Sequence, residues 1–255
     1  MGTANVKING NPKFKTRVTL RSRVIYSSNS IIHLIKTRTN NTMPPSTNFS
    51  TYLNPIPLVA ILRGIQTHEC EEIALGLYQQ GFRCIEIPLN SPDALRSIGV
   101  LARALPEDCL LGAGTVLRFE QVGQVQDAGG GLIVMPHTDV SLIAAARQRG
   151  MCSLPGVATI SEAFAALHAG ADGLKLFPAE SVPPTVLKAW RTVLPVDSLC
   201  LPVGGIKPAG MQTYLQAGAN GFGLGASLYQ PGWSAQQVMQ AASGFITALK
   251  QIQEK

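Results

Sequence analysis

From about residue 55 onward, short apolar runs alternate with longer stretches of mixed polarity, and glycine marks the change from one to the other. The mixed stretches close on Gln80-Gly81, Ala128-Gly129, Arg149-Gly150, Ala169-Gly170 and Ala217-Gly218. Glycine just past a helix supplies the left-handed residue that ends its last turn, so each pair reads as a helix stop before a strand. Gly129, Gly150 and Gly170 are 21 and 20 residues apart, while Gly81 to Gly129 and Gly170 to Gly218 are each 48 apart, two units long. With the runs inside those gaps, the pattern predicts eight strands, at 58–62, 84–89, 110–116, 132–135, 151–154, 173–177, 199–203 and 221–224. Most are continuously apolar, as parallel strands covered on both faces are. Ser91-Pro92 reads as an N-cap followed by proline at the first helical position, and Thr159-Ile160-Ser161-Glu162 as a capping box. Eight alternating units predict an α/β fold, a (β/α)8 TIM barrel. A doubly wound open sheet is the alternative, but no G-x-G-x-x-G follows the first strand.

Two charges interrupt these apolar runs. Lys175 stands in Gly173-Leu174-Lys175-Leu176-Phe177-Pro178, and Glu86 in Cys84-Ile85-Glu86-Ile87. Strand alternation points Leu174 and Leu176 one way and Lys175 and Phe177 the other. A desolvated lysine loses its proton readily, and its neutral amine forms a Schiff base with a carbonyl. The alternatives are an edge-strand lysine that snorkels to water, or half of a buried ion pair. If strands two and six both aim their charges inward, Glu86 and Lys175 share one layer of a barrel, as an ion pair or as a base serving an imine.

In such barrels the active site lies at the carboxyl ends of the strands, with phosphate often held after strands seven and eight. Those two ends read Pro202-Val203-Gly204-Gly205 and Gly223-Leu224-Gly225-Ala226-Ser227. Glycine lets backbone N–H groups approach an anion closely, although it also simply turns a chain. Arg63, directly after the first strand, is a candidate cation for a carboxylate or phosphate. His137 reads as an exposed loop residue, and His68 and His168 fall in helical regions without matching ligands, so no metal site is expected. Trp190 and Trp233 read as packing residues of the outer helices.

The formal charge of +6 raises the question of a polyanionic partner. Residues 1–42, however, hold eight of the 21 Lys and Arg residues and none of the 15 Asp and Glu, which leaves the remainder at −2. Neither nucleic acid nor membrane is therefore an expected partner. The leader is basic, hydroxyl-rich and acid-free, like an organellar transit peptide; the competing reading is that translation begins at Met43. Residues 1–50 are expected to be a disordered or non-native extension, dispensable to a single domain at 51–255. Five scattered cysteines without a C-x-x-C pair point to reduced thiols and a cytoplasmic location, or an organelle if the leader directs import.

Several ordered motifs resemble the 2-keto-3-deoxy-6-phosphogluconate/phosphogalactonate aldolase family. They are Pro57-Leu58-Val59-Ala60-Ile61-Leu62-Arg63-Gly64, Glu86-Ile87-Pro88-Leu89-Asn90-Ser91-Pro92, Gly112-Ala113-Gly114-Thr115-Val116, Lys175-Leu176-Phe177-Pro178, Val203-Gly204-Gly205-Ile206 and Gly223-Leu224-Gly225. The match runs over roughly residues 55–250. The resemblance implies a class I aldolase without metal or cofactor, usually a homotrimer, acting on a small phosphorylated keto-deoxy sugar acid. It makes Lys175 the Schiff-base lysine and Glu86 the proton donor and acceptor. Arg63, Thr115 and Pro136 would surround the pyruvate moiety, Phe177 would be a wall, and Gly204, Gly205 and Gly225 would hold phosphate. Many members carry serine after the last glycine; here Ala226 stands there and Ser227 follows, which leaves the phosphate hydroxyl open. Gluconate-type members tend to carry a hydroxyl residue before the Gly-Gly and an arginine four after the glutamate. Val203 and Asn90 resemble the galactonate type instead, with the gluconate epimer or both as the alternative. A phosphosugar isomerase or synthase, or a non-enzymatic phosphate-binding barrel, would share the glycine loops but has no need of both Glu86 and Lys175.

Overall fold

A computed structural model describes residues 48–254 of the chain, all within the unit Thr42–Lys255. Most of the expected basic extension, with the alternative start at Met43, lies outside the described residues. The elements alternate as the glycine pattern predicts. In order they are β1 (Leu58–Ile61), α1 (Cys70–Gln79), β2 (Cys84–Pro88), α2 (Ala94–Ala104), β3 (Leu110–Gly114), α3 (Phe119–Asp127), β4 (Leu132–Val134) and α4 (Val140–Gln148). Then come β5 (Cys152–Leu154), β6 (Gly156–Val157), α5 (Ile160–Ala169), β7 (Leu174–Leu176), α6 (Pro184–Trp190), β8 (Cys200–Pro202), α7 (Met211–Gln216), β9 (Phe222–Leu224) and α8 (Ala235–Gln253). Each of the five helix-stop glycines adopts positive φ, from 70° at Gly150 to 103° at Gly81, where a Cβ would strain the backbone.

All strand pairs are parallel. They form a six-stranded sheet, β5-β4-β3-β2-β1-β9, and a three-stranded sheet, β6-β7-β8. The architecture is thus α/β, with helices packed outside a curled parallel sheet. The fifth expected strand, at 151–154, is β5, and an additional short strand, β6, follows it past Pro155, which has no N–H to give to a ladder. Its carbonyl still accepts from Lys175 N at 2.9 Å, and the Asp172 N–H reaches Ser153 O at 3.1 Å. On the other side the sheets meet through the Val203–Gly223 bridge and an Asn220 N–H donated to Cys200 O at 2.9 Å.

Local chemistry starts one helix as expected and another differently. Thr159 and Glu162 form the capping box of α5, and Ser234 with Gln237 does the same for α8. Ser91-Pro92 does not open a helix: α2 begins at Ala94, after Asp93 at φ 44°. The Ser91 hydroxyl is already engaged, accepting from the Gly64 N–H at 2.8 Å, which ties the loop after β2 to the end of β1.

Strand alternation divides the core in two. Leu58, Ala60, Ile85, Ile87, Leu174 and Leu176 face the helices. Val59, Cys84, Leu110, Leu132, Val134, Cys152, Leu154 and Leu201 form a separate inner cluster enclosed by the strands. Phe49 belongs to that inner cluster and is 2% exposed. It opens a 3-10 turn, Phe49–Leu53, whose Asn48 side chain accepts from Ser50 N. The turn straddles the boundary expected between residues 50 and 51: Phe49 is an apolar plug for the strand interior, inseparable from the core.

Two truncations of this end should therefore differ sharply. A chain starting at Met43 keeps Phe49 and is expected to melt with the full chain. Phe49→Ala leaves a cavity in the inner cluster and should cost about 3–5 kcal/mol in denaturant unfolding. A Phe49→Ala chain as stable as the parent would show that the inner cluster does not need its plug.

Candidate active site

The carboxyl ends of four strands surround one cavity of about 660 Å³. Arg63 reaches it from beyond β1, Lys175 and Phe177 from β7 and its end, and residues 203–207 from beyond β8. Gly225, Ala226, Ser227 and Gln230 close it from the turn after β9. At its floor is a narrower recess that Lys175 and Val203 share with Glu86, among Val59, Ile61, Val134, Leu154 and Leu201. Nine of the residues expected from the sequence thus stand around the larger cavity, and Glu86 joins Lys175 in the recess.

Strand register explains the meeting of the two charges. Ile61 pairs with Glu86 and Lys175 with Leu201, and all four side chains line the recess. Glu86 is 1% exposed and Lys175 5%. Burial pushes the Glu86 carboxyl up to about 7, while the charges of Lys175 and then Arg63 pull it back. Burial likewise lowers Lys175, opposed by Glu86 and assisted by the Arg63 charge. Each group is moved towards its neutral form, as a charge with little water around it must be. The two do not form a direct ion pair: among the described residues the N···O contact within 4.0 Å is Arg83–Asp108, at the surface. Glu86 Oε2 is buried and has no hydrogen-bond partner in the structure, so its acceptor capacity is unused.

Neighbouring residues keep room for this carboxylate. A Cβ on Gly114 would overlap Glu86 Oε2, so only glycine fits there while Glu86 keeps its place. Lys175 Nζ lies 4.9 Å from the centroid of the Phe177 ring, on the side that strand alternation predicted. Val203, 7% exposed, presses on Gly223, where a Cβ would fall 2.6 Å from its Cγ2. It is the apolar wall between recess and cavity.

Arg63 is held from the side. Its Nη1 donates to Asn90 Oδ1 at 2.8 Å and its Nη2 to Thr115 Oγ1 at 3.5 Å. Thr115 takes up φ 53°, a strained conformation for a β-branched residue. Thr115 therefore reaches the site through Arg63, and neither it nor Pro136 walls the cavity or the recess. Pro136 backs onto Gly156, where a Cβ would meet its carbonyl. Ala226 and Ser227 both line the cavity, and Ser227 carries the hydroxyl at that end. His137 is exposed; Trp190 and Trp233 pack on the outer core. Among the described residues no three His, Cys, Asp or Glu side chains gather as a metal site would need, and no helix is long and apolar enough to cross a membrane. Sequence reasoning missed Ile206, Lys207 and Gln230 as cavity residues. Ile206 and Lys207 directly follow Gly204-Gly205, which was the available signal, whereas Gln230 stands five residues past Gly225 with no signal of its own.

The KDPG and KHG aldolase family matches residues 50–242. A probable 2-dehydro-3-deoxy-6-phosphogalactonate aldolase of Rhizobium meliloti is 46% identical over 75% of this chain and 91% of its own length. The 2-dehydro-3-deoxy-6-phosphogalactonate aldolase of Escherichia coli is 41% identical over 77% and 96%. The solved native KDPGal structure superposes with a TM-score of 0.77 at 40% identity, covering 79% of this chain and 98% of that one.

The coupled burial of Glu86 and Lys175 can be read without any substrate. The infrared band of the protonated Glu86 carboxyl should persist at low pH and vanish with a midpoint near the raised value of about 7. In Lys175→Met the midpoint should move higher still, because the lysine charge that favours the carboxylate is gone. A midpoint at an ordinary carboxylate value, or a downward move, would contradict this electrostatic account.

Proposed function

The chain belongs to the KDPG and KHG aldolase family, class I carbon–carbon lyases, and from that premise we propose that it cleaves 2-dehydro-3-deoxy-6-phosphogalactonate to pyruvate and glyceraldehyde 3-phosphate. The observation that carries the mechanism is a lysine 5% exposed, drawn towards its neutral form and sharing a recess with a carboxylate near neutrality. An ordinary lysine, with pKa about 10.4, is protonated at neutral pH and a poor nucleophile. Lys175 Nζ attacks the C2 carbonyl, and loss of water from the carbinolamine gives an iminium. Glu86, directly or through one water, takes the C4 hydroxyl proton; the C3–C4 electron pair flows into the iminium as that bond breaks. Glyceraldehyde 3-phosphate leaves, the enamine regains a proton at C3, and hydrolysis returns pyruvate and the free amine. A base near pKa 7 suits both halves of this proton transfer at neutral pH.

In this reading Arg63, held by Asn90 and Thr115, binds the substrate carboxylate with Pro136 nearby, and Phe177 forms a wall. Gly204, Gly205 and Gly225, with Ala226 and Ser227, take the phosphate. The galacto preference rests on Val203 as an apolar wall beside the reacting carbons and on Asn90 as the partner of Arg63. Burying an unpartnered hydroxyl costs about 1–3 kcal/mol, so an apolar wall separates the C4 epimers. The proposal includes a (β/α)8 barrel from about residue 48, closed by the hydrogen bonds at Pro155 and Asn220, preceded by a dispensable extension. A cytoplasmic location rests on the five cysteines, all buried and none in a disulfide, and cell fractionation reads it.

A homotrimer fits the exposed Leu117, Phe119 and Val140, each about half accessible, at the entrances to α3 and α4. Analytical ultracentrifugation should give three times the chain mass, reduced by Phe119→Asp; a single-chain mass in the parent overturns it.

Incubation with pyruvate and borohydride should add one reduced pyruvyl group to the peptide holding Lys175. Lys175→Ala should abolish adduct and cleavage, and Glu86→Gln should keep much of the adduct while losing most turnover. The kcat/KM should favour the galacto epimer. An adduct on Lys188 or Lys207 instead, or full activity without Lys175, would remove the mechanism. Equal values for the two epimers would remove the substrate preference alone.

A further inference from the structure

We infer that Lys207 is the cation that recognises the phosphate of the substrate, a role that rests on the aldolase reading of this same site. The large cavity is lined by three cations, Arg63, Lys175 and Lys207, and by no acidic side chain. Two of the cations are committed elsewhere. Arg63 is bonded towards Asn90 and Thr115, on the β2 and β3 side, and Lys175 is buried in the recess with Glu86. A phosphate dianion at the glycine end therefore meets one side-chain cation of the lining, that of Lys207.

The backbone holds this lysine at the rim. Ile206 is 5% exposed and anchors the residue before it, while Lys207 itself is exposed. Its carbonyl accepts from the Gly210 N–H at 3.0 Å, closing the 3-10 turn Pro208–Gly210. The four-carbon stem is thus free to follow a ligand from a fixed root. A negative charge stands close by: Glu180, after β7, packs against the same loop. A Cβ on Gly205 would lie 2.6 Å from its Oε1, and one on Gly204 3.2 Å from its Oε2. Backbone N–H groups alone would have to hold a dianion against that carboxylate. Lys207 offsets it, and glycine at 204 and 205, with φ 111° and 60°, leaves the loop open enough for both. Lysine serves phosphate as a point charge on a flexible stem, which suits this exposed rim.

The test uses the full chain with Lys207→Gln, Lys207→Arg and, as a control, Lys188→Gln on the exposed face of α6. Lys207→Gln should raise KM for the phosphorylated sugar acid about tenfold, the effect of losing roughly 1.4 kcal/mol of binding, with little change in kcat. Lys207→Arg should restore most of the loss, and Lys188→Gln should behave as the parent. The phosphate-free sugar acid should be cleaved by Lys207→Gln as poorly as by the parent. Calorimetric binding of inorganic phosphate should weaken in Lys207→Gln by a similar factor and more at low salt than at high. Unchanged phosphate binding and unchanged KM, or an equal loss on the phosphate-free compound, would overturn the assignment. The calorimetric arm reads Lys207 whether or not sugar acid is cleaved, whereas a parent chain that traps no pyruvate would overturn the aldolase reading itself.

Discussion

The structure depends on keeping an acid and an amine dry together. Glu86 and Lys175 sit on strands whose other inward positions are apolar, and burial moves both towards neutrality while their mutual attraction resists. Either charge alone would be costly in such a place, and with its partner the Glu86 carboxyl, at about 7, remains responsive near neutral pH. A fully satisfied ion pair would be inert. The absence of a direct ion pair, with one carboxylate oxygen unpartnered, leaves both groups available to a third molecule.

Much of the surrounding sequence answers to that constraint. Gly114 is absent of side chain because the Glu86 carboxylate fills the space, and Gly223 because Val203 does. Beneath the recess, Val59, Val134, Leu154 and Leu201 form an apolar floor, and below them Phe49 closes the interior. Water entering from that side would weaken the desolvation that lowers Lys175. Outside, α1 packs between α2 and α8, and Arg191 ties the end of α6 to the Gly218 and Ser198 carbonyls and to Asn220. The loops at the open end are stapled likewise, Gly64 to Ser91 and Arg63 to Asn90. The cavity brings three cations together, the Arg63 guanidinium, Lys175 from the buried pair and Lys207, with the glycines that follow β8 and β9.

The alternation of elements and the identity of the two charges are legible in the residues alone, because both are local. Helix-stop glycines fix backbone φ wherever they occur, and a charge in an apolar strand is conspicuous before any fold is known. Strand periodicity also gave the shared side of Lys175 and Phe177. Tertiary structure alone decided what depends on neighbours distant in the chain. Ser91 carried the signature of a helix cap, but Gly64, 27 residues earlier, claimed its hydroxyl. The short strand β6 lay past the expected end of the fifth strand at 154, because Pro155 stops the apolar run and only pairing with β7 resumes the ladder. Phe49 lay beyond the last periodic signal and became core through strands it does not adjoin in sequence. Lys207 is an unremarkable surface lysine until the loops after β8 and β9 face each other across one cavity, for side-chain chemistry is written in the sequence, whereas its partners are set by which distant backbone comes close.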